Sequence, residues 1–71
     1  MERFGRVVGR SEARGEVEID VLYCRRTKDI RRIVTGDLGL RVGWFVSIIN
    51  NKIVKPVTSV KGIEILKSIL G

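Results

Sequence analysis

Val17, Ile19, Val21 and Tyr23 alternate with Glu16, Glu18 and Asp20, the period-two pattern of a strand with one dry and one wet face. This predicts a strand over 16–24 whose outer face carries three of the eight acids. Ser11-Glu12-Ala13-Arg14-Gly15 ahead of it reads as a turn, and Arg3 to Arg10 as a first strand. Gly5 and Gly9 inside that strand mark a bulge or a sharp bend. Asp29 to Thr35 fits a strand or a short helix, and the β-branched run Ile33-Val34-Thr35 favours strand.

Gly36-Asp37-Leu38-Gly39 predicts a loop. Trp44 to Ile49 follows, apolar on nearly both faces, as in a strand with neighbours on either side. Asn50-Asn51 fits a two-residue hairpin turn, because Asn tolerates positive φ. Lys52 to Val60 continues as strand, with Pro56 confining it to an edge or a bend. The tail fits two patterns. Ile63, Leu66, Ile69 and Leu70 share one helical face, whereas Ile63 and Ile65 flanking Glu64 suit a strand. The reading favours a final strand running into a short helical turn.

Short strands at regular spacing, broken by glycine-containing turns, predict an all-β protein. The expected architecture is a five-stranded, OB-like barrel forming one domain over residues 1–71. A chain of this length buries only roughly 60% of the surface its unfolded form exposes, so its core is thin. The single cysteine, Cys24, offers no internal disulfide and fits a reducing compartment.

No apolar leader follows Met1, and the most apolar window, Val42 to Ile49, falls far short of the ~20 residues of a membrane helix. A cytoplasmic protein without membrane contact is the expectation. Gln is absent and Asn stands only at 50 and 51, a scarcity of thermolabile amides that points to a thermophilic source.

The chemistry on offer is narrow. There is no histidine, the commonest acid/base catalyst and metal ligand. One thiol cannot build a zinc site, which needs four such ligands. Glu16, Glu18 and Asp20 project towards solvent from one strand, which fits a solvated face better than an acid/base pair. Gly36-Asp37-Leu38-Gly39 lacks the Gly-Lys-Ser/Thr ending of a phosphate loop. Cys24, at the end of the best strand, fits the small buried hydrophobe that a free cysteine usually is. No enzyme, metal or cofactor is expected.

What remains is charge. Formal net charge is +6, and Arg25-Arg26-Thr27-Lys28-Asp29-Ile30-Arg31-Arg32 packs five of 14 basic residues into eight positions. Such a strip on a small domain is the electrostatic footprint of a nucleic-acid binder. The competing reading is a solvated face that only maintains solubility. Arginine predominates, and its planar fork suits phosphate contact and base stacking. The candidate interface is Arg25, Arg26, Lys28, Arg31 and Arg32, extended by Arg41, with Lys52 also within the track. If Trp44 and Phe45 lie on one strand, one of them points away from the core; an exposed Trp44 would offer bases a stacking surface.

Gly9-Arg10-Ser11, Arg14-Gly15-Glu16-Val17, Val21-Leu22, Ile30 to Gly36 and Leu40-Arg41-Val42-Gly43 occur in an order that resembles a known family. It is the small archaeal and eukaryotic ribosomal protein "S twenty-eight e", which implies an OB-type barrel and RNA as partner. Trp44 stands where that family has Asp, and the family's charged tail is replaced by the apolar segment 52–70. A second likeness, in the Gly-Arg-Val-Val of positions 5–8, is to the N-terminal β-barrels of hexameric ATPases and translocases. That likeness implies ring assembly instead. The expected partner is therefore nucleic acid, RNA before DNA. The alternative is a protein-interaction barrel that forms a dimer or ring through exposed strand edges and the apolar 44–49 strand.

Overall fold

The computed structural model describes residues 1–36, 39–50 and 52–70. Five strands and one helix follow in order: β1 Glu2–Ser11, β2 Glu16–Cys24, β3 Asp29–Thr35, β4 Phe45–Ile49, β5 Ile53–Pro56 and α1 Val60–Leu70. The strands form one antiparallel sheet in the order β3-β2-β1-β4-β5. The protein is thus mostly β, as the alternation predicts. Among the described residues no ladder joins β3 to β5, so the sheet is open at that seam.

The register explains the core. Gly5 pairs with Val21 and Val7 with Ile19 across β1 and β2, and β4 sets Val46 beside Gly5. One face therefore collects Val7, Val17, Ile19, Val21, Val46 and Ile48, closed over by Leu40 from the β3–β4 connection. Ile33 of β3 and Val54 of β5 pack half-buried against the same cluster. Val17, Ile19 and Val46 are wholly enclosed.

Gly5 is needed for a close approach. A Cβ there would meet the Asp20 carbonyl oxygen at 2.6 Å and Ile19 Cγ2 at 2.9 Å. The expected irregularity of β1 is a register shift between Val7 and Gly9. The extra residue moves Gly9 opposite Glu18 and Arg10 opposite Val17, reversing the alternation for the last turn of the strand.

β4 lies between β1 and β5, as its apolar faces predict. Phe45 is buried and Trp44, just outside the strand, is 41% exposed, so Trp44 is the one that points away. Of the Gly36–Gly39 loop, Asp37 and Leu38 lie outside the described residues, as does Asn51 of the Asn50-Asn51 turn. Asn50 does take a positive φ of 53°. β4 ends at Ile49 and β5 begins opposite it at Ile53, a connection one residue longer than expected.

The segment after β5 differs from the expectation. β5 stops at Pro56, which has no N–H to continue the ladder, rather than running to Val60. Residues 60–70 form α1, a full helix rather than a strand ending in one turn. Ser59 starts it: its Oγ accepts a hydrogen bond from the Gly62 N–H at 3.3 Å. Leu66 is the buried anchor, with Ile63, Ile69 and Leu70 half-buried, so the 3.6-residue stripe prevails over the Ile63/Ile65 alternation. The helix shares grooves with Phe4, Leu22 and Phe45, which project from the sheet opposite the core cluster. No helix among the described residues is long and apolar enough to cross a membrane.

Candidate nucleic-acid interface

Residues 25–28 form the turn that joins β2 to β3. Lys28 closes it with φ 55°, the left-handed residue that hairpin loops of this length commonly require. All four residues of the turn are exposed, and Arg25 also reaches the rim of the groove that Leu22 and Leu66 line. Among the described residues none of Arg25, Arg26 and Lys28 makes a salt bridge.

β3 then splits the remaining pair, because successive side chains on a strand point to opposite faces. Arg31 pairs with Val21 and Arg32 with Asp20. Arg31 therefore lies on the core side, at its open end, with its guanidinium carbon 4.4 Å from the centre of the Tyr23 ring and an ion pair to Asp29 at 3.1 Å. Arg32 lies on the outer face. Its Nε donates to Asp20 Oδ1 at 2.9 Å and its Nη2 to Asp20 Oδ2 at 3.4 Å, with Glu18 at 3.5 Å. The Asp20 hydrogen bond, and next its charge, hold the Arg32 guanidinium above its ordinary pKa. Of the basic strip, Arg31 and Arg32 are the ion-paired members, Arg31 with one carboxylate and Arg32 with two.

Sequence reasoning passed over Arg3 and Tyr23. Arg3 stacks on the Tyr23 ring from β1, 4.3 Å from its centre, so the ring is flanked by a guanidinium from each neighbouring strand. The Arg3 Nε is enclosed and has no hydrogen-bond partner among the described residues; the cation–π contact partly offsets that. The signal was present in β1: Arg3 shares the parity of Gly5 and Val7, which places it on the inner face.

Lys52 belongs to the same end. β1 begins where β4 finishes, with Glu2 opposite Ile49, and the Met1 ammonium donates to Asn50 Oδ1 at 3.0 Å. This end thus gathers the amino terminus, Arg3, Arg25, Arg26, Lys28, Arg31 and exposed Lys52. Cys24 sits at the base of the turn. Its thiol pKa is lowered, first by a hydrogen bond from the Thr27 hydroxyl, then by the Thr27 and Arg26 amides.

Arg41 and Trp44 are elsewhere. The Trp44 carbonyl accepts from the Val7 N–H at 2.9 Å and the Arg41 carbonyl from the Trp44 N–H at 3.1 Å. Val7 is five residues along β1 from Glu2, roughly 17 Å at ~3.3 Å per residue. The structure therefore joins five of the expected cations, with Arg31 but not Arg32 facing the Tyr23 stack, and leaves Arg41 and Trp44 at the other end of the sheet. No cluster of His, Cys, Asp or Glu able to hold a metal occurs among the described residues. No family model, curated protein or solved structure matches the chain.

Proposed function

We propose that the end of the sheet formed by Arg3, Tyr23, Arg25, Arg26, Lys28, Arg31 and Lys52 binds nucleic acid, and that its target is single-stranded RNA. One observation carries the reading: the unpaired cations of the 25–28 turn stand beside two guanidiniums already ordered on Tyr23. Stacking restricts Arg3 and Arg31 before a ligand arrives, so less side-chain entropy is lost on contact with phosphate. Because the ring is occupied by arginines, bases have little of it left to stack on, and the contacts fall on the backbone. The expected binding is sequence-tolerant and strongly salt-dependent.

The finer fold belongs to this reading. The order β3-β2-β1-β4-β5 is that of a five-stranded ring opened between β3 and β5. Ile33 and Val54, from those two strands, meet the same core cluster, which supports an OB-like barrel with an unzipped seam.

A salt series of titrations with oligouridylate and with duplex DNA tests the function. Each phosphate contact with a single strand contributes a log–log slope of about −0.7. RNA binding should be tighter than duplex binding, with a slope worth several contacts. No binding of either polymer below ~100 μM at ~50 mM salt, weaker than the usual non-specific range, overturns the reading.

A second reading, a protein-interaction module that pairs with itself, is supported by the free edge of β3. Ile30 and Val34 are 42% and 55% exposed on that strand, and an uncovered apolar edge invites strand pairing. Sedimentation over a concentration series separates the two, since edge pairing predicts a dimer or ring without RNA.

A further inference from the structure

We propose that the groove between α1 and the β4–β5 end of the sheet is a second ligand site, which takes a fatty carboxylate. It is independent of the RNA reading, lying at the far end of the sheet from Arg25 to Lys28. The groove measures about 610 Å³, within the size range of small-molecule sites. Phe45, Val57 and Ile63 form an apolar lining, and the exposed indole of Trp44 stands at its wall.

Two cations, Arg6 and Lys67, share that lining, and no acid does. Arg6 faces Asp20 across β1 and β2, which would ordinarily neutralise it. The Asp20 carboxylate, however, is held at both oxygens by Arg32 from the other side. Lys67 lies in the last turn of α1, and neither it nor Arg6 makes a salt bridge among the described residues. An apolar trough with uncompensated positive charge complements an apolar chain bearing one anionic head. An aliphatic tail would cover Trp44 while its carboxylate meets Arg6 and Lys67.

Trp44 is the only tryptophan in the chain, so its fluorescence reports the groove directly. Decanoate, decanol and decylammonium, each kept below micelle formation, would be titrated against the full chain. Decanoate should shift the emission to the blue and saturate at about tenfold lower concentration than decanol, with decylammonium weakest, as charge-assisted contacts predict. The double variant Arg6→Gln/Lys67→Gln should bind decanoate no better than decanol. Should that variant not fold, wild-type protein at ~1 M salt, where the screening length is about 3 Å, should show a reduced preference for the anion. A saturable response as strong to decylammonium as to decanoate, or no saturable response at all, overturns the proposal. So does displacement of decanoate by oligouridylate, which would make the groove part of an RNA path.

Discussion

Arg31 and Arg32 are adjacent in the chain and separated by the thickness of the sheet: Arg31 stacks 4.4 Å from the Tyr23 ring centre, whereas Arg32 grips both oxygens of Asp20. The same pleat that puts Ile19 in the core gives these two arginines different electrostatic surroundings. The first faces solvent at the cationic end, held between the Tyr23 ring and a single carboxylate, Asp29 at 3.1 Å. The second lies within an acidic face that consumes its charge.

The two should therefore behave differently on RNA. Arg31→Ala is expected to reduce the salt slope by about one contact, ~0.7 on the log–log scale. Arg32→Ala should leave the slope nearly unchanged, since it frees Asp20 and Glu18 rather than removing a phosphate contact. Fluorescence anisotropy of labelled oligouridylate over a salt series reads both. Equal losses from the two substitutions would remove the distinction.

Lys28→Gly should separate binding from stability. Lys28 holds φ 55°, a conformation that costs an ordinary L-residue about 1–2 kcal/mol and glycine almost nothing. The variant loses a cation of the turn while relieving the backbone. Urea unfolding should show equal or slightly higher stability, by up to ~1 kcal/mol, while RNA affinity falls. A clear loss of stability would contradict the turn geometry.

Gly5→Ala tests the closest approach in the sheet. The added methyl would meet the backbone oxygen of Asp20 at 2.6 Å, an atom that cannot swing aside as a side chain can. The expected cost is ~1–3 kcal/mol of overpacking, read from the denaturation midpoint. A neutral substitution would mean that β1 and β2 are further apart at this pair.

Thr27→Val should change the chemistry of Cys24. The Thr27 hydroxyl is the largest cause of the lowered thiol pKa, so the variant should raise that pKa and slow alkylation by iodoacetamide near neutral pH. The sign for stability follows from a folded-state pKa below the unfolded one. The contribution is present in full above the unfolded value and is lost as pH falls through the folded value. In the variant this pH dependence should flatten.

Much of the sheet was readable from local pattern. The alternation of Val17, Ile19 and Val21 with Glu16, Glu18 and Asp20 names a strand and its wet face, because the side-chain period of a strand is two wherever it occurs. Gly5 and Gly9 bracket the irregular part of β1, and Pro56 ends an edge strand, since both residue types act through backbone geometry alone. The tail was not readable in this way: Ile63, Ile65, Leu66 and Ile69 satisfy two periodicities, and only the presence of a sheet face beside Leu66 selects the helix.

The cationic strip shows the same division. Sequence by itself determined that Arg25 to Arg32 carry concentrated positive charge, and that a tight turn and a strand carry them. Tertiary structure decided which charges stay available. Arg32 is neutralised by residues twelve and fourteen positions away, Arg31 meets Tyr23 from the neighbouring strand, and Arg3 joins them from a third. Arg41 and Trp44 fall at the opposite end because β4 runs antiparallel to β1. Charge and period are properties of neighbours in sequence, whereas the pairing of charges depends on strand register, and register is set by the burial of a common core.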